Sequence, residues 1–308
     1  MISLIKQEWK ANPSQKNTPG MLGFSETAML YYLAKDYYKG YGEIIDLGAF
    51  IGASSFALSR GLRENCIAEK AGRIHAYDKF EANDKYLHDF IIKYVDKEFP
   101  TDGDFLSLYY KSVDGYNEYL NVNKGDFTTA KWLGHPVEIL FIDIAKNTEL
   151  NGTAIREFFP ALMPGRSVVI HQDYHHPSLP FIHVTMEYLS DHFTIVNEKT
   201  DYSILYLNTS KIPAEKLKKA ADYDFTPEEK LEYMNRAIAK ISPAQRTNIL
   251  LAKLILLLIE FKGEGATEEF LRMLETGELD INDKFWKYHA PLVTKRLKLG
   301  DMKIPGLD

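Results

Sequence analysis

Between residue 43 and about residue 207 the chain alternates short runs of β-branched and aromatic residues with longer mixed stretches. That alternation is the pattern of strand and helix units in a layered sheet. The runs EIIDL at 43–47, RIHAYD at 73–78, YLNVNKGD at 119–126, VEILFID at 137–143 and RSVVIHQD at 166–173 predict five strands. FTIVNE at 193–198 and YSILYLN at 202–208 stand only a few residues apart, which predicts an antiparallel pair finishing the sheet.

Ahead of the first strand, SETAMLYYLAKDYYKG carries apolar residues at helical spacing, with Ser25 placed as an N-cap and Gly40 as a stop. It predicts a helical cover for the sheet within residues 1–42. Beyond residue 208 the strand signal ends, and TPEE at 226–229 and SPAQ at 242–245 each join a cap to a first-turn proline. Helices are expected over 227–240, 243–261, 267–276 and 283–298, broken at Gly263, Gly265 and Gly277. The pattern divides the chain into an α/β domain over 1–208 and an all-α domain over 209–308. The run ILLAKLILLLIEF at 249–261 reads as the buried helix of that bundle, with a homodimer contact as its other use.

Composition narrows the partners. The 308 residues carry a formal net charge of -6, without the positive field that would hold a phosphate backbone, so nucleic acid is not expected. Cys66 is the single cysteine; it can form no internal disulfide and is expected partly buried on a helix. MISLIKQEWKANPSQ lacks the apolar core of a signal peptide, and the 249–261 run is interrupted by Lys253 and too short to span a bilayer. A cytoplasmic protein is the expectation.

The densest chemistry lies at strand ends. In EIIDLGAFIGAS the first strand delivers the chain to a turn at Gly48, and Gly52, Ala53, Ser54 and Ser55 open a helix. Glycine lets backbone approach a ligand, and free amides at a helix start favour an anionic or polar group, although such turns also serve packing alone. Asp78 ends the next strand at the distance from which a carboxylate reaches a ribose diol in a doubly wound fold. Phe50 stands where the G-x-G-x-x-G dinucleotide fingerprint would place its middle glycine.

EIIDLGAFIG, HAYDKF, NKGDF, FIDIAK and VVIHQDY, in that order, resemble the five motifs of the class I S-adenosylmethionine-dependent methyltransferases. The resemblance spans about residues 19–208 and implies an α/β, Rossmann-like seven-stranded sheet whose last strand is antiparallel. It places Asp46, Gly48, Ala49 and Gly52 around the amino acid part of the cofactor, Asp78 and Lys79 at the ribose, and Asp126 and Phe127 beside the adenine. MLGFSETAML and the acid-bearing FID and QDY ends are most similar to small-molecule O-methyltransferases of the macrolide sugar type. Those hold Mg2+ with three carboxylates; Asp143 and Asp173 match two of the positions, and Gln172 stands at the third.

In HQDYHHP, His171, Asp173 and His175 alternate and share a face if the strand continues, whereas His176 before Pro177 belongs to the loop. Asp143, Asp173 and His175 are the residues expected to orient or deprotonate an acceptor hydroxyl, with His176 as the other histidine candidate. His171 and His183 read as packed or hydrogen-bonded interior groups, and Lys146 and Asn147 follow Asp143 within reach of a substrate. The expected activity is methyl transfer to a small polar acceptor such as a sugar. Its rivals are a scaffold that kept the fold without catalysis and, less favoured by the glycine spacing, a nicotinamide oxidoreductase.

Overall fold

The computed structural model describes residues 9, 19–101, 103–132, 134–263, 265–283 and 285–299. Most of the stretch read for a leader, and the part of the expected N-terminal cover before residue 19 other than Trp9, lie outside the described residues. The strands are β1 Glu43–Leu47, β2 Ile74–Asp78, β3 Leu120–Lys124, β4 Val137–Ile142, β5 Val168–His171, β6 Phe193–Thr200 and β7 Ser203–Asn208. They form one sheet in the order β3-β2-β1-β4-β5-β7-β6. The first five run parallel, and β7 enters antiparallel between β5 and β6. This is the architecture that the resemblance implies. β1 and β4 are buried along nearly their whole length because helices cover both faces of the sheet centre, and a central parallel strand needs no alternation.

The helices are α1 Phe24–Tyr32, α2 Ala53–Glu64, α3 Lys85–Tyr94, α4 Leu106–Ser112, α5 Thr148–Phe158, α6 Pro180–Tyr188, α7 Ala214–Asp222, α8 Pro227–Lys240, α9 Thr247–Glu260, α10 Ala266–Glu275 and α11 Trp286–Arg296. One core lies between the sheet and α1, α2 and α3, around Met29, Leu58 and Phe80. The other lies beneath α5 and α6.

Three local expectations are corrected. Ser25 is not the cap of α1: the cap lies two residues earlier, at Gly23, whose N–H is taken by Glu26 Oε2 at 2.9 Å. Cys66 lies past the end of α2 and is exposed, because Asn65 turns inward in its place and donates to the Ala34 and Tyr38 carbonyls. Helix α7 went unforeseen; its lysine-rich sequence hides a single apolar stripe through Leu217, Ala220 and Ala221.

The C-terminal helices do not form a body with a core wholly their own. Leu217 of α7, Met234 of α8, and Ile249 and Leu256 of α9 share the sheet's second core with Phe158 and Ile182. A separate core appears only where α9 meets α10 and α11, around Leu254, Phe270, Met273 and Trp286. The apolar run thus serves as a buried helix used on two sides, and the division at residue 208 marks where strands end rather than where packing does. Among the described residues no helix is long and apolar enough to cross a membrane.

Candidate functional site

The turn after β1 is built first for the protein's own backbone. Gly48 has φ +92°, and a Cβ there would stand 2.9 Å from the Asp143 carbonyl. Its N–H donates to Tyr77 O at 2.9 Å, while the Asp143 N–H donates to Leu47 O at 2.7 Å. The glycine therefore lets the ends of β1, β2 and β4 converge. Gly52, at φ +96°, fits against Val113 and Tyr109 in the same way.

Phe50 adopts φ +46°, a conformation costly for an aromatic residue. It is held there by its N–H, which donates to Asp78 Oδ2 at 2.9 Å, and by ring contacts with Phe90 and Phe105. Asp78 Oδ1 accepts the Phe80 N–H at 2.7 Å. Both carboxylate oxygens are thereby fixed with lone pairs to spare, and burial pushes this carboxyl above its usual range.

A crevice of about 630 Å³ opens along the carboxyl ends of the strands, where an open parallel sheet binds its ligands. Its floor is Gly48, Ala49, Ala53 and Ser54, at the start of α2. Asp78, Asp84, Tyr86, Leu87 and Phe105 line one end, and Asp143, Lys146, Gln172, Asp173, His176 and Tyr202 the other.

Five expected cofactor residues lie apart from that lining. Asp46 is wholly buried under the α2 start, where its Oδ2 accepts the Ser54 and Ser55 hydroxyls at 2.9 and 2.5 Å; burial pushes it up to about 6. Gly52 faces Val113 and Tyr109 instead. Lys79 points away to Glu81 at 3.1 Å. Asp126 caps the turn Phe127–Thr129, accepting the Thr128 N–H and hydroxyl at 2.9 and 2.8 Å. Phe127 is buried against Tyr77 and Phe158. The loop after β3 coils into a turn at once, so the acid is spent on capping.

At the other end Asp143 and Asp173 meet through Lys146. The ammonium donates to Asp143 Oδ1 at 2.6 Å and also to Asp173 Oδ2. Burial raises the Asp143 carboxyl against the pull of Lys146, and the neighbouring Asp173 raises it further. The two carboxylates outweigh desolvation at Lys146, so its ammonium holds its proton more firmly than usual.

His175 does not reach this crevice. The segment Gln172–His175 leaves the strand as a short 3-10 turn, which breaks the alternation that had put His175 beside Asp173. His175 lies fully buried, with Nε2 against the Glu198 carbonyl at 2.8 Å, and burial pushes its pKa down to about 3; the expectation that it deprotonates an acceptor is corrected. His171 is buried at the end of β5, 3.3 Å from Asn151 Oδ1, and His183 packs on the Tyr174 ring. His176 does line the crevice; its Nδ1 accepts the Ser178 N–H at 3.2 Å, so the neutral ring carries its proton on Nε2 and offers a donor.

The donor set does not fit Mg2+. That ion wants near-ideal octahedral oxygen coordination at about 2.0–2.1 Å, and here an ammonium sits between the two carboxylates that would supply it. Among the described residues no group of three or more histidine, cysteine or acidic side chains stands together as a metal site. Gln172 is nonetheless poised: it is 6% exposed, and its Oε1 has no hydrogen-bond partner.

Two contributors were missed. Glu26 is fully buried, and its Oε1 accepts the Tyr202 N–H at 3.2 Å and the Ser203 hydroxyl at 2.8 Å, tying α1 to the turn between β6 and β7. His289 of α11 lies 3.3 Å from the Tyr202 hydroxyl, and its ring meets that of His176 at 5.4 Å. Only an acid in the first turn of α1 hinted at the former, and nothing local signalled the latter.

No family model matches the chain, and no curated protein does. Among solved structures it is similar to the calicheamicin methyltransferase CalS11, at 16% identity and TM-score 0.43, covering 59% of this chain and 77% of that one. A protein of Pyrococcus horikoshii described as a candidate RNA methyltransferase matches at 16% identity and TM-score 0.33, covering 69% and 96%. A coclaurine N-methyltransferase bound to N-methylheliamine and SAH matches at 14% identity and TM-score 0.30, covering 90% and 79%. At such identities and scores these likenesses carry no functional weight.

Proposed function

We infer that the crevice binds S-adenosylmethionine and that the protein moves its methyl group to an oxygen of a small polar acceptor, such as a sugar. The observation that supports this reading is one continuous cavity with the Asp78 carboxylate at one end and the charged Asp143, Lys146 and Asp173 cluster at the other. Its volume of about 630 Å³ lies in the range of small-molecule sites. Small floor residues admit a ligand close to the backbone, and the start of α2 suits a carboxylate. Asp78 would take the ribose hydroxyls on its remaining lone pairs, with Tyr86, Leu87 and Phe105 flanking the base.

Bound there, the cofactor supplies an electrophilic sulfonium methyl. The chain's task would then be to hold an acceptor hydroxyl in line and remove its proton as the new oxygen–carbon bond forms and the methyl–sulfur bond breaks, its electron pair staying on the departing sulfur. Asp143, with its raised carboxyl, takes that proton and passes it to solvent. The unpartnered Gln172 Oε1 and the His176 Nε2–H orient the acceptor. In a thermal shift assay S-adenosylhomocysteine at 100 times its Kd should stabilise the fold by about 2.7 kcal/mol, while NADH should leave the midpoint unmoved. Stabilisation by NADH alone would hand the crevice to the nicotinamide reading.

A further inference from the structure

The Asp143–Lys146–Asp173 cluster raises a question of charge that the methyl-transfer reading leaves open. Two strand-end carboxylates stand close enough for one ammonium to bridge them. Such a pair stays ionised only beside a cation. In a related magnesium site that cation would be the metal; here the chain carries its own. Asp143 and Asp173 follow different strands, β4 and β5, and Lys146 reaches both from the turn before α5, where its N–H donates to Ile144 O at 2.8 Å. Both carboxylates are largely covered, whereas half the lysine side chain faces the crevice.

We propose that Lys146 is the resident cation of this site: its ammonium occupies the place of a divalent metal between Asp143 and Asp173 and presents a positive charge to the acceptor oxygen. A dication approaching the pair meets that ammonium first, and the net charge left for it is one negative rather than two. The lysine acts as a fixed positive charge and not as a base, since its two carboxylate partners stabilise the protonated form. It strengthens as a partner when the acceptor hydroxyl loses its proton to Asp143, because the oxygen then gains negative charge next to the ammonium. Gln172, whose Oε1 has no hydrogen-bond partner, lines the same end of the crevice as a third oxygen donor. Removing the ammonium should therefore create a divalent-cation site that the natural protein lacks.

This inference rests on the methyl-transfer reading only for what the cation does; where the cation sits is tested without turnover. Mn2+ binding is followed by electron paramagnetic resonance in the natural protein, in Lys146→Met, and in Lys146→Met combined with Asp173→Asn. Far-ultraviolet circular dichroism and S-adenosylhomocysteine affinity report folding and cofactor binding separately. The expected result is Mn2+ affinity at least tenfold tighter in Lys146→Met than in the natural protein, lost again in the double variant. Lys146→Gln, which keeps a polar group, serves if the methionine variant does not fold. Stoichiometric Mn2+ binding by the natural protein that Asp143→Asn abolishes would overturn the proposal, as would a folded lysine variant that gains no site or whose gained site survives Asp173→Asn.

Discussion

Ser55 shows how much one hydroxyl holds in place beneath the crevice floor. Its Oγ donates to Asp46 at 2.5 Å and accepts from the Tyr109 hydroxyl at 3.0 Å, all in the interior. Ser55→Ala strands the tyrosine hydroxyl and removes one of the two donors on a buried carboxylate, which should cost about 1–3 kcal/mol in urea unfolding. A loss below about 0.5 kcal/mol would mean that the network does not hold the start of α2. Asp78, Asp143 and Asp173 could be read from the sequence because each closes or directly follows a β-branched run, which puts it at the carboxyl edge of the sheet. His175 could not: one turn of 3-10 geometry after β5 reversed its direction. Nor could the bridge from Lys146, since its second carboxylate lies 27 residues away, in the turn after another strand.

Among the elements, the turn between β1 and α2 carries the most constraint. Gly48→Ala forces a side chain into left-handed backbone and to 2.9 Å from the Asp143 carbonyl, neither of which can give way without moving the end of β4. A cost of about 1–3 kcal/mol is expected from the backbone conformation alone. The displaced Asp143 should also weaken the acceptor end of the crevice while leaving α8 to α11 folded. Denaturation followed at the tryptophans and by circular dichroism checks the first, and equal stability of variant and parent would refute the packing role. Strands were legible to within two residues at each end because their runs are short and punctuated. The N-terminal cap and α7 were not: Gly23 takes over from the better capping residue Ser25 because Glu26 bonds back to it and across to Tyr202 and Ser203, contacts 176 and 177 residues distant.

Taken whole, the molecule buries four histidines in neutral form: His171 and His175 are pushed down to about 3, His183 and His289 to about 4, in each case chiefly by burial. A depressed histidine adds stability above its unfolded pKa of about 6.5 that is lost as pH falls toward the folded value, because the unfolded chain then binds more protons. Glu26, raised to about 8, Asp143, raised to about 7, and Asp46, raised to about 6, act the other way, costing stability as pH rises through their windows, as do Asp78 and Glu138, which burial also raises. The two sets oppose each other between pH 5 and pH 7, and one variant separates them: Glu26→Gln removes a group that favours the folded chain at the lower pH, so it should lower the unfolding free energy at pH 5 relative to pH 7 when compared with the parent. An unchanged difference between the two pH values would contradict the assignment.

The C-terminal helices enter the site only through this larger assembly, by way of His289 against Tyr202 and His176, a junction that no local pattern foretells. The crevice beside that junction, lined by His176 and Tyr202, is where the functional reading stands or falls. The decisive measurement is calorimetric titration of the full-length protein with S-adenosylhomocysteine. One site per chain, with a dissociation constant on the order of micromolar and undiminished by EDTA, is the predicted result; absence of binding heat at saturating ligand across several temperatures would contradict it.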